Sequence, residues 1–312
     1  MMDCTILGSG GMMPMPGRFP TSVAIRFQGQ LYLFDAGEGC QINLKKTKLG
    51  IKSLRVVAIS HLHADHCLGV PGLLMMRAQV PDAGPLMILG PPGIERFIRQ
   101  VHESLAFFLD YPLSFLEWNE GGPEVAYEDD LVRILWAPLK HTTLCLGYRL
   151  EEHTRPGKFK TETAKALGIP PGPLWGKLQR GESVTLEQGN TISPDLVLGP
   201  SRPGRKICYA VDTRPNKFLY RLCQDVDMAF LDGMFLPEHH EEAEAKGHMT
   251  ADDAARIANR AGARAAVLIH ISPRYTEEDT GRFVEAAKRR FINTEIGTDL
   301  QQFTIPYQEG NP

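Results

Sequence analysis

The chain has 312 residues, a formal net charge of −3 and a charged fraction of 23%, which is the composition of an ordinary globular protein long enough to bury a substantial core as one large α/β domain. That balance excludes recognition of a polyanion by overall charge, so a nucleic-acid partner would have to be met by local basic patches. Six scattered cysteines with no Cys-x-x-Cys pair, and no apolar stretch near the ~20 residues of a membrane span, predict a reduced, cytoplasmic protein with no membrane segment.

In chain order, residues 4–7 read as a short strand, and Gly8-Ser9-Gly10-Gly11 lets the chain turn tightly after it. Met12-Met13-Pro14-Met15-Pro16 follows, which no helix can use as a first turn, so the glycines are expected in a loop beside an active site rather than in a phosphate cradle. Two strands, 21–27 and 30–34, join through Gln28-Gly29, and a helix then ends in Lys45, Lys46 and Lys48. A strand over 54–59 runs directly into Ser60-His61-Leu62-His63-Ala64-Asp65-His66-Cys67. His61 and His63 are two apart, so in extended chain they point the same way and can bind one metal. Asp65 and His66 fall where the chain turns and can face a second. An apolar helical segment with Leu73, Leu74, Met75 and Met76 comes next, suited to a core or a subunit contact.

Strands are expected at 86–89, 113–116, 124–127 and 131–136, with a helix from Pro91-Pro92-Gly93 to about residue 108. The last of these strands delivers His141. From 151 to 192 the texture changes, with Pro156, Pro170, Pro171 and Pro173 among Arg155, Lys158, Lys160, Lys177 and Arg180. Such a stretch is too long and too proline-rich for an ordinary connection, and it is expected as an inserted arm within one domain spanning 1–312. Trp175 in Gly172-Pro173-Leu174-Trp175-Gly176-Lys177 reads as an exposed aromatic of an ordered element with a role of its own. A strand over 206–211 then delivers Asp212, and one over 227–231 leads to Asp232. Thr250 caps a helix running to about 261, residues 265–269 deliver His270, and a helix over 277–290 and a strand over 302–305 close the chain.

Four residues cannot close two metal sites. Among the seven other histidines, His141 and His270 stand at the carboxyl ends of apolar strands, where open α/β sheets build their sites, and Asp212 stands likewise and could bridge two metals through its two oxygens. His102 is expected on a helix, His153 at the root of the arm, and His239 and His240 on a solvated helix face among glutamates. His248 precedes a helix start, where it could serve the cap or lean over the site. Two zinc ions in this set would bring a shared water to a pKa of about 7 or below and so favour hydrolysis; iron and redox use are open to the same residue types.

With His61-x-His63-x-Asp65-His66 followed by His141, Asp212 and His270, the chain resembles the metallo-β-lactamase superfamily and, within it, the ribonuclease Z family of tRNA 3′-processing endonucleases. The likeness extends over nearly the whole chain, through Leu33-Phe34-Asp35-Ala36-Gly37-Glu38-Gly39, Gly168-Ile169-Pro170-Pro171-Gly172-Pro173-Leu174, Gly204-Arg205-Lys206, Asp212-Thr213-Arg214 and His270-Ile271-Ser272-Pro273-Arg274-Tyr275. It implies an α/β fold of αββα sandwich type with a protruding exosite arm that grips the tRNA elbow. It also implies two Zn2+ per subunit, precursor tRNA as partner, and a homodimer contact near Leu73, Leu74, Met75 and Met76. Asp65 would accept a proton as well as face a metal, and His248, oriented by Asp232, would protonate the leaving 3′ oxygen. Substrate contacts would come from Arg18, Gly172, Pro173, Lys177 and Arg274. The family's His-Glu-Ala-Thr is here Leu231-Asp232-Gly233-Met234, which keeps a carboxylate one methylene shorter. Its Pro-x-Lys-x-Arg is here Pro14-Met15-Pro16-Gly17-Arg18, which removes a cation worth roughly one phosphate contact. The expected activity is zinc-dependent removal of 3′ trailers from precursor tRNA by hydroxide attack, leaving a 3′-hydroxyl. Its rivals are a small-molecule phosphodiesterase or esterase of the same superfamily and a catalytically silent tRNA-binding protein.

Overall fold

Apolar runs buried on both faces govern the architecture. In the computed structural model, which describes residues 1–119 and 124–307, strands β1 (Met2–Gly8), β2 (Ser22–Phe27), β3 (Gln30–Phe34), β4 (Leu54–Ala58), β5 (Leu86–Gly90) and β6 (Leu113–Glu117) lie in one sheet. A second sheet takes β7 (Val125–Glu128), β8 (Val132–Leu139) and β9 (Cys145–Glu152). After a short hairpin, β10 (Val184–Thr185) and β11 (Thr191–Ile192), the second sheet continues with β12 (Lys206–Ala210), β13 (Met228–Asp232), β14 (Ala266–Ile269) and β15 (Thr294–Ile296). The last strand, β16 (Gln302–Ile305), returns to the first sheet beside β1, giving the orders β16-β1-β2-β3-β4-β5-β6 and β15-β14-β13-β12-β9-β8-β7.

Side chains alternate between two cores, as strand geometry requires. Along β3, Tyr32 and Phe34 join the core between the sheets while Leu31 and Leu33 turn outward under helices; along β13, Met228 and Phe230 face inward and Ala229 and Leu231 outward. Helices Cys40–Lys46, Gly69–Arg77 and Ile94–Leu105 cover the outer face of the first sheet, and Lys217–Cys223, Ala251–Arg260 and Thr280–Lys288 that of the second. This is an αββα sandwich. Strands β3 to β6 run parallel, as do β12 to β15, so their carboxyl ends gather functional loops at one edge of each sheet.

One expectation needs correction and two are refined. β9 was not expected, although all eight of its residues are buried; Arg149 and Glu151 interrupt the apolar pattern, and burial is achieved by pairing them at 2.7 Å and by Arg149 donating to the carbonyls of Arg221, Leu222 and Gln224 at the end of Lys217–Cys223. Leu73 and Leu74 point into the core, leaving Met75 of the expected contact region exposed. Trp175 is half-buried, packs at a tilt against Phe159 with centroids 5.1 Å apart and donates to the Ile169 carbonyl at 3.1 Å.

That tryptophan belongs to a second compact unit, residues 152–205 with Tyr307, distinct from the body formed by 1–151 and 206–306. Ala164, Ile169, Leu178, Val184, Ile192 and Val197 form its own core, with Phe159, Leu174, Trp175 and Leu186 packed against them. Among the described residues no helix is long and apolar enough to cross a membrane.

Candidate metal centre

The strand ends of the body deliver the site. His61 follows β4, His141 follows β8, Asp212 follows β12 and His270 follows β14. Asp35, Asp212 and His270 each adopt a left-handed backbone, with φ of 54°, 50° and 63°; residues other than glycine rarely do so, and such strain concentrates at functional sites. It turns each side chain sharply out of its strand. Asp65 and His66 lie in the one-turn helix Ala64–Cys67, and His66 is fully buried.

Two donor sets meet at Asp212. His61, His63, His141 and Asp212 form one group, and Asp65, His66 and His270 another, the ligand atoms of each lying within 4.8 Å of one another. One Asp212 oxygen sits 3.3 Å from His66 Nε2 and 3.2 Å from His270 Nε2. The other is 3.6 Å from His61 Nε2 and 3.7 Å from His141 Nε2. Asp65 Oδ2 lies 3.4 Å from both His66 and His270 Nε2. Four ligands about 2.0–2.1 Å from a zinc ion are separated by about 3.3–3.4 Å at tetrahedral angles, so these spacings fit two ions.

The hydrogen bonds behind the ligands point to the same conclusion. His66 Nδ1 meets Asp35 Oδ2 at 2.7 Å, His141 Nδ1 meets the Gly247 carbonyl at 3.1 Å, and His61 Nδ1 meets Ser60 Oγ, which itself donates to Asp35, at 2.9 Å. Each acceptor takes the Nδ1 proton, so each Nε2 presents a lone pair to the cluster. His141 Nε2 and Asp212 Oδ1 are buried with no hydrogen-bond partner, a costly arrangement for polar atoms unless a cation satisfies them. The electrostatics agree. Burial, followed by the charges of His66, His63 and His141, holds His61 well below the ordinary imidazole value. Burial would also depress His66, but Asp212 and Asp35 outweigh it and push it up, so positive charge is favoured between those carboxylates. For Asp65, burial is overcome by hydrogen bonds from His270 and His66, which hold its carboxyl far below the usual range.

His248 is 6% exposed and borders the donor sets, its Nε2 4.0 Å from Asp212 Oδ2. Its Nδ1 meets Asp232 Oδ2 at 2.8 Å, and its ring stacks on His270 with centroids 5.3 Å apart. Burial alone would lower His248, yet Asp232 and then Asp212 raise it; Asp232 is raised by burial but lowered on balance by His248. Asp232 also accepts from the amides of Thr213 and Met234. Its oxygens are therefore committed to donors, and it is poorly placed to ligate despite lying in a further His/Asp cluster with Asp212, His248 and His270.

The expected substrate contacts divide. Arg18 donates to the Tyr275 carbonyl at 3.2 Å, and Arg274 is held in a bidentate pair with Glu242 at 2.7 and 2.5 Å over the Phe235 ring. Gly172, Pro173 and Lys177 belong to the second unit, where Gly172 has φ 144° and ψ −150°, a glycine conformation, Pro173 opens the helix Pro173–Gln179, and Lys177 is exposed. His102 packs on Phe107, and His239 is half-buried with Nδ1 2.7 Å from the Tyr275 hydroxyl rather than on a freely solvated face.

Several participants carried no role in the sequence. Asp35, fully buried, accepts from Ser60 N at 2.6 Å, from the Ser60 and Tyr209 hydroxyls at 2.7 Å each, and from His66. It lies just past β3, so the strand-end rule that selected Asp212 and His270 also marks it. The glycine loop does border the site. Met12 N donates to Asp65 Oδ2 at 2.6 Å, and a Cβ on Gly11 would fall 2.7 Å from the His270 ring.

Comparison with known proteins was informative at two levels. A family model described as "Beta-lactamase superfamily domain" matches residues 168–271, and one described as "Anti-Pycsar protein Apyc1" matches residues 2–100. Proteins named ribonuclease Z are similar over the full chain: that of Treponema denticola is 40% identical, and that of Methanosarcina acetivorans 41%, each with 99% of both chains covered. Among solved structures, human tRNase Z, short form, superposes with a TM-score of 0.71 at 22% identity over 97% of this chain and 99% of its own. The metallo-β-lactamase fold protein YhfI from Bacillus subtilis gives 0.66 at 18%, over 97% and 98%. At those identities the two structures establish the sandwich fold.

Replacing Asp35 by Asn keeps the volume but makes one of its two acceptor atoms a donor facing Ser60, Tyr209 and His66. Retention of metal against graded chelator, read by elemental analysis after dialysis, is expected to weaken about 10- to 100-fold, the usual cost of removing an outer partner of a metal-bound histidine. Unchanged retention would contradict this role.

Proposed function

The chain belongs to the ribonuclease Z family, and from that premise we propose that it is a zinc-dependent endoribonuclease that removes 3′ trailers from precursor tRNA. The observation that carries the reading is the sharing of Asp212 between two donor sets, one oxygen toward His66 and His270 and the other toward His61 and His141. His61, His63 and His141 would hold one zinc ion, Asp65, His66 and His270 the second, and Asp212 both. Bound there, the two ions supply a water acidified to a pKa of about 7 and a counter-charge for the phosphate oxygens.

The chain's own groups manage the protons. Water attacks phosphorus, the bond from phosphorus to the 3′ oxygen breaks, and the products are a tRNA 3′-hydroxyl and a trailer 5′-phosphate. Asp65, ionised and held in place by the Met12 amide, accepts the proton of the attacking water. Asp232 favours the charged form of His248; with Nδ1 engaged, its Nε2 proton is the one available to the leaving 3′ oxygen. The second unit supports a macromolecular substrate, because a small phosphodiester has no use for an insertion with its own core. We read it as the arm that grips tRNA through Gly172, Pro173 and Lys177, with Arg18 and Arg274 nearer the scissile end. Contact with RNA by Arg274 would require it to leave Glu242. The reading includes a homodimer contact near Leu73 to Met76, where Met75 is exposed, and a cytoplasmic location, with which six buried cysteines that form no disulfide agree.

Incubated with a 3′-extended precursor tRNA, the purified protein is expected to release the trailer and leave a 3′-hydroxyl, and chelator should abolish the cut. Hydrolysis of bis(p-nitrophenyl) phosphate without any cleavage of precursor would favour the small-molecule reading instead. For His248→Ala the rate should fall by about 10²- to 10⁴-fold, the range of a lost general acid. A 3′-phosphorothiolate at the cleavage site, whose sulfur leaves without a proton, should restore most of it; equal losses on both substrates would remove His248 from the acid role.

A further inference from the structure

The stems of the insertion are a two-stranded ladder. Arg155 N donates to the Arg202 carbonyl at 2.8 Å and receives the return bond at 2.9 Å, and Glu152 N donates to the Arg205 carbonyl at 2.8 Å. A pair of strands standing alone is marginally stable in water. Here it is joined by a third segment from the opposite end of the sequence, because β16 continues through Pro306 to Tyr307, which belongs to the same compact unit as the stems.

Tyr307 engages both stems at once. The Arg155 guanidinium lies 3.6 Å from the centre of its ring and that of Arg205 4.0 Å. Arg205 Nη2 also donates to the phenol oxygen at 3.2 Å, and the hydroxyl reaches Glu152 Oε1 at 3.4 Å. Beneath the ring, Arg205 Nε pairs with Glu152 Oε2 at 2.7 Å, with both side chains almost fully buried. Arg155 and Glu152 belong to the outgoing stem and Arg205 to the returning one. Tyr307 is 45% exposed, so core packing does not account for its three polar partners; two guanidiniums within cation–π distance of one ring do. None of these residues is in the metal centre.

We propose that Tyr307 is a positioning residue for the insertion, clamping its two stems so that the arm meets its substrate in one preferred pose. The proposal rests on the reading of the insertion as the tRNA-gripping arm. A flexible arm must be ordered on each encounter, and a clamped one has already lost that freedom. Loss of the clamp therefore raises KM for the long substrate and leaves bond cleavage untouched.

The test uses the full-length chain as Tyr307→Ala and Tyr307→Phe, assayed on 3′-extended precursor tRNA and on bis(p-nitrophenyl) phosphate, with limited trypsin digestion in parallel. For Tyr307→Ala, KM for precursor should rise about 5- to 10-fold, in keeping with the loss of stacked cation contacts. Its kcat and the small-diester rate should hold, and cleavage within 152–205 should quicken. Tyr307→Phe, which keeps the ring, should stay near wild type in all three. An unchanged KM, or a loss that falls equally on both substrates, overturns the clamp. Should the wild-type protein cut no precursor, the tRNA reading fails separately, and the digestion rates of the two variants still decide whether Tyr307 stiffens the stems.

Discussion

Burial of Asp212 among imidazoles, three of which turn their Nδ1 protons elsewhere, is the constraint on which the structure depends. The residue is 2% exposed, and a carboxylate removed from water needs donors or a cation on each oxygen. His61, His66 and His141 direct their Nδ1 protons away, to Ser60, Asp35 and Gly247, so what faces Asp212 is a set of lone pairs. Positive charge between them reconciles the two sides. The sandwich assembles that set by ending parallel strands at one edge and bending three of the side chains out through left-handed backbone, a conformational cost that the packed sheets beneath can hold.

Two other buried carboxylates show how environment divides the work. Asp35 and Asp232 are both fully buried and both bond a histidine Nδ1. Asp35 also takes Ser60 and Tyr209 and orients His66 toward Asp212. Asp232 takes two backbone amides and raises the pKa of His248. The first is suited to shaping a ligand and the second to poising an acid. In this chain the partner of His248 is an aspartate on β13, short enough to receive the Met234 amide of its own turn as well as the imidazole.

Much of this was legible because metal chemistry writes itself in residue types and spacing. His61, His63, Asp65 and His66 are consecutive in a pattern with little other use, and His141, Asp212 and His270 followed from strand ends. Asp35 was not assigned because an isolated aspartate after a strand is common, and its four side-chain contacts come from two separate stretches of chain, Ser60 with His66, and Tyr209. β9 was hidden by Arg149 and Glu151, whose mutual neutralisation exists only in the folded sheet. Trp175 marked the arm as an ordered element, but which partners bury it was not legible, because its apolar neighbours, from Phe159 to Val197, are scattered and meet only in the folded core. The role of Tyr307 had no sequence signal, since its partners lie about a hundred and more residues away.

The central claim is that Asp212 makes one dinuclear centre of two donor sets. Zinc titration of the wild type and of Asp212→Asn against a competing chromophoric chelator tests it most directly. The account predicts two equivalents per chain in the wild type, with both weakened in the variant because the substituted side chain faces both sets. A single equivalent in the wild type, or a variant that loses one ion and keeps the other at full affinity, would contradict it.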